Sequence, residues 1–264
     1  MQIIDSHLHI EALNYHDLEA MALAGVKAII SHTSQPGVHR DIPAQAIFDF
    51  ADSVLGFHSW RASQFFIETY FCIGVSMVGV PIDYKLALEK LPSYFNKDRI
   101  IGIGEIGFEP SSTTCPDLCQ QEEILLAQLN MAKEFNKPVT LHTPLTEKPK
   151  WVKRYLAMVK EVGLKPDQVI IDHADETIVK MITESGCNAA ITVQPWRKVR
   201  PADAAKAVQS GDIGLLLIDS DCSTLDSDPL SVPKTVLEMR KLAMPEGTVN
   251  KVVWDNPRRI YKLV

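Results

Sequence analysis

The chain has 264 residues, of which 46% are hydrophobic and 23% charged, and its formal net charge is −6. These values are typical of a globular protein and argue against one that coats nucleic acid. Five cysteines, an odd number, argue against a disulfide framework and favour the reducing cytoplasm. We expect neither a secretory signal nor a membrane span, because no apolar run has the required position or length.

Short apolar segments rich in Val and Ile recur along the chain and predict β-strands. Near-continuous apolar strands of this kind are typical of a parallel sheet that is buried on both faces. The eight segments cover residues 2–4, 26–31, 70–76, 99–105, 138–142, 168–173, 188–194 and 214–220.

Amphipathic segments between the strands predict helices. Asp175 and Gly186, for example, are a plausible N-cap and a plausible C-terminal stop for one of them. The predicted helices cover residues 16–25, 119–136, 147–163, 175–186, 201–211 and 233–243. Residues 41–68 are too many for one helix and predict a long or broken helix within an insertion at about residues 35–68.

Eight β–α alternations in a chain of this length predict an α/β fold, a (β/α)₈ TIM barrel with a single domain over residues 1–264. A doubly wound open sheet is the alternative, but it would usually carry a glycine-rich turn after its first strand. The glycine-rich segment here, residues 101–107, follows the fourth strand and lacks the spacing of a dinucleotide-binding turn. Barrel enzymes place their active sites at the carboxyl ends of the strands, so the residues that end each strand are the candidates for a functional site.

Five predicted strands end in side chains that commonly bind metals. His7 and His9 end the first strand, and both imidazoles project to the same side because strand side chains alternate with period two. The other candidates are Glu105 after the fourth strand, His142 after the fifth, His173 after the sixth, and Asp219 and Asp221 after the eighth. With one of the two aspartates counted, the set offers six protein ligands. Six exceed the need of one hydrolytic ion, so the set predicts two divalent ions a few ångströms apart.

Five sequence segments, in their order and spacing, resemble the TatD family of metal-dependent hydrolases within the amidohydrolase superfamily. They read DSHLHI, GIGEIGF, LHTP, IDHAD and LLIDSD, and residues 252–263 resemble the closing helix of that family. The segments LEAMALAGVKAII, LHTP and SDPLSVPKT are similar to a branch that includes archaeal TatD-like proteins and the EboC proteins. The resemblance covers essentially the whole chain.

The resemblance implies a role for each candidate ligand. His7 and His9 match the histidines of the first metal site of the family, and Glu105 matches the glutamate shared by both ions. His142 and His173 match the histidines of the second site. The expected cofactors are therefore two divalent ions, with zinc, manganese and magnesium all open.

The eighth strand leaves two registers open. Asp221 matches the aspartate of the family, and this places Asp219 where the family has a glutamate. In the register that matches Asp221 to the aspartate of the family, Asp221 is a metal ligand and the base that relays a proton from the attacking water. Glu105 then bridges the ions. Asp219 then belongs to the substrate-contacting or supporting residues.

Three departures from the family pattern bear on the substrate. The histidine after the third strand is absent, Pro144 replaces an arginine after the fifth, and Glu109 stands in place of an aspartate. The missing histidine and arginine could contact a phosphate, so a small ester, amide or phosphoester is favoured slightly over a nucleic-acid end. TatD-type deoxyribonuclease activity and a non-catalytic metal-binding barrel remain the alternatives, and the sequence does not indicate the oligomeric state.

Three further residues near strand ends are candidates for contact with the substrate or support of the ligands. Trp196 and Arg197 follow the seventh strand, where they could form a wall and a cationic clamp. His32 ends the second strand, where it could contact the substrate or support a ligand. Each also has an ordinary structural interpretation, as a solvated loop or a hydrogen-bonded core histidine.

Overall fold

Eight parallel strands form one sheet in which each strand pairs with the next along the chain. The structure, a computed structural model, describes residues 1–33, 42–112 and 115–263. The strands are β1 (Ile3–Leu8), β2 (Val26–His32), β3 (Glu68–Cys72), β4 (Ile100–Gly107), β5 (Val139–His142), β6 (Val169–Ala174), β7 (Asn188–Thr192) and β8 (Leu216–Asp219). With helices alternating between the strands, this confirms the predicted α/β (β/α)₈ barrel.

The first and last strands meet at the mouth of the barrel. Leu8 pairs in parallel with Cys222, and the backbone N–H of His9 donates to the carbonyl of Cys222 at 2.8 Å. The backbone N–H of Asp221 donates to the carbonyl of His7 at 2.9 Å. These bonds bring two chain segments more than 200 residues apart into one site.

Helices cover the outside of the barrel at the predicted places, with ends shifted by a few residues. They are α1 (Tyr15–Leu23), α2 (Gln45–Ser53), α3 (Ser59–Ser63), α4 (Tyr84–Lys90), α5 (Leu118–Glu134), α6 (Lys148–Val162), α7 (Val179–Glu184), α8 (Pro201–Ala207), α9 (Ser231–Lys241), α10 (Glu246–Asn250) and α11 (Asn256–Tyr261). The helices α4 and α10 were not predicted, and α7 is shorter than the predicted 175–186. Across the described ranges, no helix is both long and apolar enough to cross a membrane.

The predicted insertion at about 35–68 is described only in part. Residues 35–41 lie outside the described residues. Beyond them, α2 and α3 are joined by a π-helical turn over Val54–His58, which gives the broken helix that the length of this segment predicted. The apolar side of α2, with Ile47 and Phe48, is buried in the main core.

Two apolar clusters fill the protein, one between barrel and helices and one inside the barrel. Along β2, Ile29 belongs to the outer cluster, whereas Ala28 and Ile30 belong to the inner one. Period-two alternation explains this division. The next inward position is His32, so the interior of the barrel changes from apolar to polar as it approaches the mouth.

Candidate metal centre

Six predicted ligands converge at the mouth of the barrel. A cavity of about 480 Å³ opens there, and its lining includes His9, Glu105, His142, His173 and Asp221. His7 lies just beneath it, almost completely buried. The residues come from β1, β4, β5, β6 and the segment that follows β8, because all eight strands run in the same direction and end at one rim.

The ligand atoms form two groups of three that share Glu105. One group contains His7 and His9, the other contains His142 and His173, and within each group the ligand atoms lie within 4.8 Å of one another. The two oxygens of Glu105 face different groups. Its Oε1 lies 2.7 Å from His142 Nδ1 and 2.9 Å from His173 Nε2, whereas Oε2 lies 3.8 Å from His7 Nε2.

The donor atoms suit a divalent ion. His7 Nε2 is buried, has no hydrogen-bond partner among the described residues, and lies 3.8 Å from Oε2 of Glu105. An orphaned buried ring nitrogen is costly unless a ligand satisfies it, and neutral imidazole is a common ligand of zinc. The residues present therefore fit a metal at this place.

Hydrogen bonds from behind orient two of the histidines, His7 and His173. Asp172 contacts His7 Nδ1 through its carboxylate, which leaves Nε2 facing Glu105. Thr192 Oγ1 lies 2.8 Å from His173 Nδ1. Such outer partners fix the tautomer and the direction of metal-binding histidines.

Glu109 contacts a third imidazole, that of His142, from the side of the cavity. Its carboxylate lies 3.3 Å from His142 Nε2, which leaves Nδ1 of the same ring toward Glu105. The hydrogen bond from His142 lowers the pKa of Glu109 to about 2. The residue that departs from the family pattern at this position is therefore an ionised partner of a candidate ligand.

His173 reaches the centre through an irregularity in β6. Asp172 and His173 are adjacent, yet both side chains face the interior, although strand side chains normally alternate. The pairing of β6 with β7 shifts register between Ile171 and Ala174, and His173 has a φ of 55°. This left-handed conformation is costly for a residue other than glycine and is found mainly at functional sites.

The two aspartates after β8 lie in different environments. Asp221 lines the cavity with its Oδ1 3.2 Å from His9 Nε2, and its φ of 40° is again left-handed. Asp219 is completely buried beneath the cavity, near His7 and Asp172, and neither of its oxygens has a hydrogen-bond partner among the described residues. Burial raises the pKa of Asp219 well above its usual range, so this side chain favours the neutral acid.

Neighbouring carboxylates raise the pKa of two candidate ligands, His7 and His142. Burial alone would lower the pKa of His7, but the charges of Asp172 and Glu105 raise it to about 10. Burial would likewise lower the pKa of His142, and Glu105 raises it to about 9. Because a metal binds the deprotonated ring, an arriving ion displaces protons, and its affinity falls as the pH falls.

The other predicted residues take different positions. His32 is buried against His7, with ring centroids 4.0 Å apart, and its Nε2 lies 3.2 Å from Thr140 Oγ1. Arg197 lines the cavity, whereas Trp196 is 66% exposed and lines a neighbouring surface groove. His32 therefore packs against a candidate ligand, and Trp196 lies outside the cavity wall.

Sequence reasoning missed Asp172 and Lys198 at this centre. An acidic residue inside the apolar strand IIDHA was a signal for Asp172, since carboxylates are rarely buried without a partner. Lys198 follows Arg197 directly and was treated as part of a loop. Its ammonium contacts Asp221 and lies 3.1 Å from Nδ1 and Nε2 of His173.

Tyr155 of α6 ties the ends of β4 and β5 together beside the ligands. Its hydroxyl accepts a hydrogen bond from the backbone N–H of Phe108 at 2.8 Å and donates one to the carbonyl of His142. Gly107, with a φ of 149°, permits this close approach, since a Cβ there would lie 2.7 Å from the carbonyl oxygen of His142 and from the Tyr155 hydroxyl. The helix layer thereby fixes the backbone that carries His142.

We expect Tyr155→Phe to lower the free energy of unfolding by about 1–3 kcal/mol, because it leaves a buried N–H and a buried carbonyl without their partner. Urea denaturation of chelated protein measures the change without a contribution from bound ions. Tyr84→Phe is the matched control, because that hydroxyl bonds to Glu123 at 3.2 Å in an exposed position. An equal loss in both variants would contradict the assigned role of Tyr155.

The fold and the centre together define a class. A (β/α)₈ barrel with histidines and carboxylates converging at its mouth is an arrangement of metal-dependent hydrolases. The sequence profile of the family described as TatD related DNase matches residues 4–262. The chain therefore belongs to the TatD family and is a metal-dependent hydrolase.

Individual relatives agree with this assignment. An uncharacterized metal-dependent hydrolase of Methanocaldococcus jannaschii is 27% identical over 261 residues, covering 99% of this chain and 100% of that protein. The crystal structure of a TatD-like protein from Archaeoglobus fulgidus has a TM-score of 0.80 at 22% identity and covers 98% of this chain and 100% of its own. A TatD homologue from Escherichia coli K12 has a TM-score of 0.75 at 16% identity, with 99% and 98% covered. The two structures show the same fold.

Proposed function

We propose that the centre holds two divalent ions and hydrolyses a small substrate. His7, His9 and Glu105 bind the first ion together with Asp221, and Glu105 binds the second ion together with two histidines, His142 and His173. The observation that carries this proposal is the membership of Glu105 in both groups, with one oxygen directed at each. Zinc, manganese and magnesium remain the candidate ions, and the four imidazoles favour zinc.

When bound, the ions would supply a water activated near neutral pH and would polarise the oxygen of the scissile bond. The surrounding residues orient the reaction and move the proton. Asp221 lines the cavity and faces His9, so its carboxylate is placed to accept a proton and return it to the leaving group. Asp219 is completely buried and is not among the described residues that line the cavity.

The cavity favours a small ester, amide or phosphoester as substrate. Its volume of about 480 Å³ is in the range of small-molecule sites, and part of its wall is apolar, formed by Met77, Val78, Leu145 and Leu225. A 3′-end deoxyribonuclease is the second candidate, because the matching family is described as TatD related DNase. The absent histidine after β3 and Pro144 after β5 favour the small substrate.

A panel of substrates tests the proposal. Protein supplied with Mn²⁺ or Zn²⁺ should retain about two ions per chain by elemental analysis and should hydrolyse a member of a panel of aryl esters, amides and phosphoesters. Chelation should abolish that turnover. Faster release of nucleotides from the 3′ ends of single-stranded DNA than of any panel product would favour the nuclease, and a full complement of ions without turnover would indicate a non-catalytic barrel.

A further inference from the structure

The turn after β7 directs Lys198 into the cavity. The backbone N–H groups of Arg197 and Lys198 donate to the carbonyl of Gln194 at 3.0 and 2.7 Å, and Val193 pairs with Val199 across the turn. Gln194 is itself buried and donates through Nε2 to the carbonyl of Asp221 at 3.0 Å. The backbone of Lys198 is thus fastened to the segment that carries a candidate ligand.

The ammonium of Lys198 touches one ligand from each side of the centre. It contacts Asp221 Oδ2 and lies 3.1 Å from both ring nitrogens of His173. Its side chain is only 8% exposed, so the charge is held within the cavity and away from bulk water. A buried ammonium needs such partners, because an unpaired charge in this environment is costly.

Ions at the centre and the ammonium compete for the same partners. A divalent ion bound by Asp221 or His173 repels a neighbouring positive charge, and it competes with Lys198 for the carboxylate of Asp221. The flexible four-carbon stem lets the ammonium move while its backbone stays fixed. Among the described residues that line the cavity, Glu105 and Asp221 would hold the ions, and the carboxylate of Glu109 already bonds to His142 and Ser111. The displaced ammonium therefore finds no free carboxylate in this wall, whose other side-chain acceptors are hydroxyl groups.

We propose that Lys198 is the residue that binds an oxyanion of the substrate next to the scissile bond. The substrate would be a small anion, either a phosphate ester or an ester or amide that bears a carboxylate, with its apolar part against the wall formed by Met77, Val78 and Leu145. This proposal rests on the proposed function, and it adds the charge of the substrate and the residue that selects it.

Binding of inorganic phosphate to manganese-loaded protein, measured by calorimetry, tests the proposal without turnover. Lys198→Met should weaken phosphate binding about 10- to 100-fold, the scale of losing a charge-assisted hydrogen bond, with an unchanged content of ions. Lys198→Arg, which keeps the charge, should retain most of the affinity. Lys206→Met is the matched control, because Lys206 is 61% exposed on α8, and it should bind phosphate as the wild type does.

Hydrolysis of three aryl esters separates the two sources of the oxyanion. Lys198→Met should reduce kcat/KM for either p-nitrophenyl phosphate or p-nitrophenyl succinate at least about 10-fold more than for the neutral p-nitrophenyl acetate, because an effect that acts through Asp221 is common to all three esters. A larger loss on the phosphate indicates a phosphate ester as the substrate, and a larger loss on the succinate indicates a carboxylate.

Three results would overturn the proposal. Wild-type affinity for phosphate in Lys198→Met with a full complement of ions would exclude this role. A higher affinity for ions in that variant, with phosphate binding unchanged, would restrict Lys198 to competition with the ions. Loss of phosphate binding in Arg197→Met alone would assign the role to that neighbour. Failure of the proposed function is distinct, because the wild-type protein itself would then retain no ions or show no turnover on the panel, before any variant is compared.

Discussion

Glu105→Gln should abolish binding of both ions. Glutamine keeps the size of the side chain, but it removes the negative charge and leaves one oxygen where two faced the two histidine groups at 2.7 and 3.8 Å. Loss of an outer partner alone costs about 10- to 100-fold in metal affinity, so loss of the shared ligand should exceed about 100-fold for each ion. Elemental analysis after dialysis, with circular dichroism to establish folding, measures the change.

Glu109→Gln is the matched control for this variant. Its carboxylate contacts His142 from the side away from Glu105 and belongs to neither group of three. Glu109→Gln should lower the affinity for one ion by about 10- to 100-fold and leave the affinity for the other unchanged. If folded Glu105→Gln protein retains as many ions as the wild type, Glu105 is not a shared ligand and the two-ion proposal fails.

Asp221→Asn should reduce turnover by about 10²- to 10⁴-fold, the usual scale for the loss of general acid–base help. The amide keeps an oxygen near His9 but cannot accept a proton at neutral pH. Only binding of the first ion should weaken, because the amide keeps one ligand oxygen and the second ion does not contact Asp221, and this separates the effect from that of Glu105→Gln when turnover is measured at saturating metal. Steady-state kinetics on the best substrate of the panel, with ion content measured on the same sample, provides the test.

Asp219→Asn tests the register of the eighth strand in the same assay. Asp219 is completely buried beneath the cavity and favours the neutral acid, so an amide of the same shape should cost much less activity. The opposite pattern, with Asp219→Asn inactive and Asp221→Asn near wild type, would move the base to Asp219. The hydrolytic proposal would survive that result with a different residue in the role.

The sequence by itself determined the barrel and the rim on which the centre lies. Apolar strands at regular intervals require a buried parallel sheet, and in a parallel sheet all carboxyl ends meet on one side. The metal-binding side chains at the ends of β1, β4, β5 and β6 therefore had to lie close together at that rim. Local periodicity and this topology were enough to predict that His7 and His9 project to the same side and that Glu105 lies at the same rim.

Only the tertiary structure decided how each side chain is used. The adjacent residues Asp172 and His173 both face inward because of a register shift and a left-handed backbone, which strand alternation would not predict. Asp221 reaches the cavity while Asp219 stays beneath it, and Lys198 turns inward while Trp196 turns out. These outcomes depend on contacts between residues far apart in the chain, such as Gln194 with Asp221 and Asp172 with His7. A local sequence pattern predicts where a strand lies and which side chains share a face. The closure of the barrel decides which charged side chains come into contact.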